Sequence, residues 1–453
     1  MNEVIQPNRA ALEDALAQGR WNYLIDDIVA GRCQDPRTGR PVTLDLDRVV
    51  IAPTLDGAEA DLVAGLGFGA PLGLVADEAT MEAMGRRIER ALQRHRPKPI
   101  VLDLPHADQP TVAALAERLD GCEAAIAVGS GTINDLTKAA CAHLGLPYCV
   151  FGTAASMNGY TSSTASISLS SGLKTTLASR APRAFFADIA VAASAPGRTA
   201  AAGFGDCMAR PVAQIDWWLS HRLFGTDYHQ ITYDIEAADE AALNARAAGV
   251  AQGESDAVGR LYRVLTLCGL GFAFTGTSHH GSMGEHQISH YIDCFAGERH
   301  PGTLHGEQVG VASLTMARLQ QRILAQEQPP RVRPTRFDEE SMRRRMGPEI
   351  AAQCLTAYRR KALDEKGAEK LDARLRAIWP ELRRECARFA IQPEEMHRLL
   401  RAADAPTTAG ELGLPVDFYR EAILHCREMR DRFSMLDVAD DAGLLADFAQ
   451  EER

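Results

Sequence analysis

One carboxylate and two histidines between residues 203 and 305 are of the types that hold a catalytic metal ion. The carboxylate is Asp206, in Gly-Phe-Gly-Asp (203–206). The histidines are His286, in Gly-Glu-His-Gln-Ile-Ser-His (284–290), and His305, in Leu-His-Gly-Glu (304–307). Three protein ligands leave a coordination position open, and an ion held that way acts as a Lewis acid on a substrate oxygen. His290 follows His286 by four residues, so on a helix both project from one face. The pair equally suits a solvated helix face, and Asp206 equally suits a helix N-cap. His279 and His280 are further candidates, in a loop context that fits exposure or contact with a substrate.

A second chemical signal lies upstream. Gly129-Ser130-Gly131-Thr132-Ile133-Asn134-Asp135 follows an apolar run and opens a helical stretch. Glycines there let backbone N–H groups approach a phosphate, and the helix N-terminus adds partial positive charge. The segment is not the Rossmann fingerprint, because Asn134 occupies the third glycine's place and no acidic residue stands near 151. A tight structural turn is the alternative. Asp77, closing the run 72–76, is a candidate for accepting from a ribose, or for capping the helix that follows. The loop Gly152–Ser162 is rich in glycine and small hydroxyl residues, which suits either a cofactor-facing loop or a plain turn. A glycine turn followed by an Asp–His–His set suggests a metal-assisted alcohol–ketone redox enzyme.

The elements that must position these residues change character along the chain. Residues 49–52, 72–76, 100–102, 125–128 and 149–151 are continuous apolar runs, as expected of strands buried on both faces of a parallel sheet. Amphipathic stretches at 79–94, 110–119 and 133–144 alternate with them, which gives an open α/β layer. Residues 164–179 read as an antiparallel hairpin attached to that sheet. Beyond Ala195-Pro196-Gly197 helical spacing dominates, with helices expected at 234–252, 255–275, 307–327, 366–390 and 418–434. The stretch 328–340 reads as a surface excursion.

Composition narrows the partners. The 453 residues are enough for two domains, and 46% hydrophobic with 24% charged residues is ordinary for a soluble globular chain. A net charge of −11 argues against a nucleic-acid or anionic-membrane surface. The ten cysteines stand singly with no Cys-x-x-Cys, which fits reduced thiols in the cytoplasm. No secretory signal and no uncharged apolar run of about 18 residues is visible.

Seven ordered motifs carry a family resemblance. They are Gly-Ser-Gly-Thr-Ile-Asn-Asp (129–135), Ala-Ser-Met-Asn-Gly-Tyr-Thr-Ser (155–162), Ala-Gly-Phe-Gly-Asp (202–206) and Asp-Trp-Trp-Leu-Ser-His (216–221). Gly-Glu-His-Gln-Ile-Ser-His (284–290), His-Gly-Glu-Gln-Val-Gly-Val (305–311) and Arg-Asp-Arg-Phe-Ser-Met-Leu-Asp (430–437) complete them. Over roughly 45–445 the chain resembles the sn-glycerol-1-phosphate dehydrogenases, especially their bacterial branch. That group lies within the iron-containing alcohol dehydrogenase, glycerol dehydrogenase and dehydroquinate synthase-like superfamily.

The chain's texture marks an N-terminal extension (1–42) and a boundary near 195, and the resemblance implies an α/β dinucleotide-binding domain (43–195) followed by an all-α metal- and substrate-binding domain (196–453). The metal is expected in the cleft between the two larger parts. Asp206, His286 and His305 match the metal ligands, for one zinc, nickel or iron ion. Gly129 and Gly131 through Asp135 (Thr132, Ile133 and Asn134 included) match the pyrophosphate loop of NAD or NADP, and Asp77 matches its ribose carboxylate. Thr153, Ala154, Ala155, Ser156 and Ser162 match further cofactor contacts; Asn158 and His290 match substrate-contacting, catalytic positions. A homo-oligomer is expected, with a small polyol or keto phosphate as substrate.

The chain departs from the family in two places. Asn158 stands where Asp is usual, and Met208-Ala209-Arg210 where Leu-Gly-Lys is common. Asn158 is a neutral isostere that donates as well as accepts, so it bears on the substrate. Two other readings follow: a non-redox cyclase or lyase on a sugar phosphate, with Lys174 and Arg180 as phosphate contacts, or a catalytically weakened homologue.

Overall fold

A computed structural model describes residues 8–35 and 37–453. Residues 1–7 and Pro36, which belong to the expected N-terminal extension, lie outside the described residues. Eight strands are present among the described residues: β1 Arg48–Ala52, β2 Leu72–Asp77, β3 Pro97–Leu102, β4 Ala124–Gly129, β5 Tyr148–Gly152, β6 Thr164–Ser168, β7 Lys174–Ala178 and β8 Ala184–Asp188. Six form one sheet in the order β1-β8-β5-β4-β2-β3. All its pairings are parallel. β4, β5 and β8 are buried at every residue, which is why they are written as unbroken apolar runs.

Sequence patterning points to five of these strands; the sixth, Ala184-Phe185-Phe186-Ala187-Asp188, joins β1 to β5. β6 and β7 pair antiparallel as expected, but as a separate two-stranded sheet. The hairpin is tied down elsewhere: Ser166 N donates to Asp135 Oδ2 (3.0 Å) and Ser170 N to Gln109 Oε1 (2.8 Å).

The chain leaves β2 towards β3 but leaves β4 in the opposite direction, towards β5. The sheet therefore reverses between β2 and β4, and a crevice opens at the carboxyl ends of strands at such a point. Asp77 ends β2 and Gly129 ends β4, so both flank that crevice.

Two compact units result. One comprises the described residues up to Ser170, with Lys174–Phe204 and His229–Ser278; the other comprises Ser171–Leu173, Gly205–Tyr228 and His279–Arg453. The first unit continues past 195, because the helices between His229 and Ser278 pack with the sheet. Helix Ser255–Thr275 is the cause. A Cβ at Gly259 would overlap the Trp21 ring and Ile189, and one at Gly269 would overlap Thr161 and the Asn158 carbonyl. Tyr262 meets Phe185 of β8 edge-on at 6.0 Å. Fully buried Arg263 pairs with Asp239 and donates to the carbonyls of Trp21 and Tyr23, fixing the N-terminal segment. This helix is long and apolar enough to cross a bilayer, but 89% of its apolar window is buried.

The second unit is helical. The helices that matter for chemistry are Ala209–Phe224, Gly284–Phe295 and His305–Leu324, with the end of Gly197–Cys207 leading in.

Candidate active site

In the second unit, Asp206, His286 and His305 offer ligand atoms that all lie within 4.8 Å of one another. Asp206 stands in the last turn of its helix, not at an N-cap. A Cβ on Gly205 would run into the Gly306 carbonyl and reach 3.4 Å from Gly310 Cα. Only a bare backbone lets Asp206 approach the start of helix His305–Leu324 this closely. That helix begins at His305, two residues before the sequence suggests, and Glu307 caps it by accepting from Leu304 N at 2.6 Å.

Both histidines are oriented through Nδ1. His286 Nδ1 lies 2.9 Å from Glu285 Oε1, and its Nε2 lies 3.6 Å from Asp206 Oδ1. Burial pushes the Glu285 carboxyl up to about 7, against the Met283 N–H and the Arg432 charge. Around His305 the proton positions follow from the partners. Asp293 Oδ1 can only accept, so the Gln308 amide nitrogen, 3.0 Å away, faces it. Gln308 Oε1 then faces Ser289 and takes that hydroxyl's only proton at 2.8 Å. Ser289 Oγ is left to accept from His305 Nδ1 at 3.2 Å, so the His305 lone pair is on Nε2. Two imidazoles with anchored Nδ1 atoms and one carboxylate are the donor set of a divalent transition metal, so these residues fit such an ion.

His290 lies one turn along from His286, with ring centroids 6.2 Å from His286 and 6.0 Å from His305. Arg430 Nη2 stands 2.6 Å from its Nδ1. A guanidinium only donates, so His290 accepts at Nδ1 and carries its proton on Nε2. His280 is fully buried rather than exposed as its loop context suggests, while His279 is half-buried and stacks on Trp217 at 5.8 Å. Burial and the charges of Arg432 and Arg430 push His279 down to about 3, so it is neutral near pH 7.

In the first unit, the predicted cofactor residues gather at the carboxyl ends of β2, β4 and β5. Gly129 pairs in register with Gly152, and Thr153 N donates to the Gly129 carbonyl at 3.2 Å. Ser130 and Ser156 share a short hydroxyl–hydroxyl hydrogen bond. Ser130 is the N-cap of the 14-residue helix Gly131–Leu144, yet its side chain caps no N–H. The two glycines differ. A Cβ at Gly129 would overlap Ile133, whereas one at Gly131 would meet only Met157 Cγ at an ordinary 3.5 Å. Bare helix-start amides beside an unforced glycine fit a phosphate of a dinucleotide.

Not every predicted contact faces that edge. Ile133 and Asn134 are buried, so they can offer backbone only, while Thr132 is exposed. Asp135 turns away, accepting from Ser166 N and Asn134 Nδ2. Asp77 caps its helix through Oδ1, accepting from Thr80 N (2.8 Å) and Thr80 Oγ1 (2.9 Å). Thr153, Ala154 and Ala155 are buried, Ser156 and Asn158 half-buried, and Ser162 is buried against Lys138 Nζ at 3.1 Å. Residues that sequence reading did not single out complete both regions: Glu285, Ser289, Gln308, Arg430 and Lys138. The only sequence signal for Ser289 and Gln308 is helical spacing to His286 and His305, and Glu285, next to His286, has none.

The family model for iron-containing alcohol dehydrogenases matches residues 50–196. Glycerol-1-phosphate dehydrogenase [NAD(P)+] of Bacillus velezensis is 28% identical over 382 residues, covering 82% of this chain and 86% of the relative. The protein of that name from Pyrococcus furiosus is 31% identical over 285 residues, covering 62% of this chain and 78% of the relative. Glycerol dehydrogenase of Schizosaccharomyces pombe shares the fold, with TM-score 0.60 and 17% identity over 90% of each chain. So does a probable glycerol dehydrogenase from Sinorhizobium meliloti 1021, with TM-score 0.58 and 18% identity over 89% of this chain and 97% of that one. A chain with these relatives, an open parallel sheet and a helical C-terminal part is an alcohol dehydrogenase that belongs to the glycerol-1-phosphate dehydrogenase family.

Proposed function

We propose that this chain is an NAD(P)-linked, metal-assisted dehydrogenase interconverting dihydroxyacetone phosphate and sn-glycerol 1-phosphate. The observation that carries the reading is the Asp206–His286–His305 cluster, whose Nδ1 anchors leave the imidazole donors turned inward. The relatives' names supply the substrate and cofactor class.

Asp206, His286 and His305 would hold one zinc, nickel or iron ion. Such an ion, when bound, supplies Lewis-acid polarisation of the substrate oxygen. NAD(P)H, when bound, would supply the hydride, and a proton taken up from water would complete the alcohol. Gly131, with the helix-start amides of Gly131–Leu144, would receive the cofactor's pyrophosphate. Asp77 has its second carboxylate oxygen for a ribose hydroxyl, a partner that favours NAD over NADP. With Nδ1 engaged by Arg430, His290 acts as a donor from Nε2–H, which orients a substrate oxygen rather than removing a proton. Asn158 would contact the substrate as a neutral group.

The test is a panel of dihydroxyacetone phosphate, dihydroxyacetone and glycerol with NADH or NADPH, run on chelator-stripped and metal-loaded protein. Metal-dependent, stoichiometric NAD(P)H consumption with the phosphate ester is expected. Equal rates with and without metal would reject the metal-assisted reading.

A further inference from the structure

We propose that Arg430 and Arg432 form the anion subsite that receives the substrate's phosphate, beside the Asp206–His286–His305 cluster. This rests on the keto phosphate reading above and assigns residues to it.

Both arginines belong to the segment between the short turn Cys426–Met429 and helix Met435–Asp441. The segment is held firmly. The Arg432 carbonyl accepts from Lys361 Nζ at 2.9 Å and Gln287 Nε2 at 3.4 Å, and Met435 N donates to Asp216 Oδ1 at 3.0 Å. Each guanidinium is anchored on the region that presents the ligand histidines. Arg430 stands on His290, and Arg432 donates to the carbonyl and hydroxyl of Ser282. Neither is sealed off, because both remain partly accessible.

Their placement is costly. Burial and the neighbouring Arg430 charge push Arg432 down to about 9, and burial lowers Arg430 as well. Glu285 and Asp431 act on Arg432 in the opposite direction without cancelling that effect. His279 is held neutral by burial and by the same two cations. Two guanidinium forks held two residues apart in a partly accessible site suit an anion. A phosphate is the matching anion, because its oxygens accept from planar guanidinium forks.

Reach agrees with chemistry. Arg430 touches His290, whose ring centroid is 6.0 and 6.2 Å from those of His305 and His286. In a three-carbon keto phosphate one methylene and one ester oxygen separate the carbonyl carbon from phosphorus. Arg180, one of the two phosphate contacts considered from sequence, is exposed, so water can solvate it without a ligand.

The test measures kcat/KM for dihydroxyacetone phosphate and for dihydroxyacetone in Arg430→Gln, Arg432→Gln and the corresponding lysine variants. The phosphate-to-alcohol preference should fall at least tenfold in each glutamine variant and recover in part with lysine. Inorganic phosphate should compete with the ketone in wild type and lose that effect in the variants. A preference within twofold of wild type, or undiminished phosphate inhibition, overturns the assignment. Where a glutamine variant does not fold, its lysine counterpart should still show a smaller fall in that preference and weaker phosphate inhibition, and wild-type values for both overturn the assignment. A wild-type protein that reduces dihydroxyacetone but not its phosphate rejects the functional reading, whereas phosphate competition against dihydroxyacetone still tests the subsite.

Discussion

Ser289 Oγ sits 3.2 Å from His305 Nδ1 and gives its own proton to Gln308 Oε1 at 2.8 Å. Gln308 is one helical turn on from His305, so the group that fixes the imidazole's proton rides on the same helix. Orientation of the amide comes in turn from Asp293. Replacing Gln308 with Leu frees the Ser289 hydroxyl to rotate and donate to His305 Nδ1, which puts the imidazole proton on the ligating nitrogen. Outer partners of this kind are worth about 10–100-fold in metal affinity. Gln308→Leu should weaken metal binding by that order in a chelator-competition titration while leaving the helix content unchanged. An unaltered metal Kd would show that the relay does not set the tautomer.

The two glycines of the Gly-Ser-Gly turn should respond differently to alanine. At position 129 the new methyl overlaps the Ile133 side chain, an overpacking defect of about 1–3 kcal/mol. At position 131 it meets only Met157 at 3.5 Å, so the fold tolerates it. Gly129→Ala should lower the denaturation midpoint. Gly131→Ala should keep the midpoint and raise the NAD(P)H Kd, read by cofactor fluorescence. Unchanged cofactor binding in Gly131→Ala would place the pyrophosphate elsewhere.

This contrast also shows what the sequence could reveal. Runs such as Ala125-Ile126-Ala127-Val128 signal buried parallel strands because both faces are covered, and spacing alone put His286 and His290 on one helix face. Asp206 is ambiguous in sequence, since what places it is the close approach of its neighbour Gly205 to the distant Gly306. The roles of Ser289 and Gln308 depend on the directions of hydrogen bonds, and no spacing rule encodes those. The extent of the first compact unit is illegible in sequence for a related reason. Gly259 and Gly269 read as helix residues, and only packing shows that they seat the helix against Trp21 and the Asn158 loop.

His279 offers a test in acid. Its folded pKa is lowered to about 3 by burial, then by Arg432 and Arg430, from an ordinary value near 6.5. Between those values the unfolded chain binds the extra proton, so stability is full above 6.5 and declines as pH falls towards 3. Replacing His279 with Gln should flatten the dependence of the denaturation midpoint on pH in that window. It should not move any rate-determining pKa near neutrality, because the imidazole is already uncharged there. A wild-type midpoint that stays constant from pH 6.5 to 4 would contradict the assignment.

Lys138 is fully buried, and its ammonium donates to the Gly159 carbonyl (2.8 Å), the Thr164 carbonyl (2.9 Å) and Ser162 Oγ (3.1 Å). It therefore binds the loop carrying Asn158 to the helix that begins at Gly131. Asp135 Oδ1, 3.8 Å away, is the nearby countercharge. Lys138→Met removes one donor from three oxygens and leaves the Asp135 carboxylate without that cation, a loss of about 3 kcal/mol or more. Neutralising Asp135 as well removes the second part of that penalty, so Lys138→Met/Asp135→Asn should recover some stability relative to Lys138→Met alone. Urea denaturation of the two single variants and the double variant measures the coupling directly. If the two changes are additive, the cation and the carboxylate do not act as a pair, and Lys138 serves the loop through its hydrogen bonds alone.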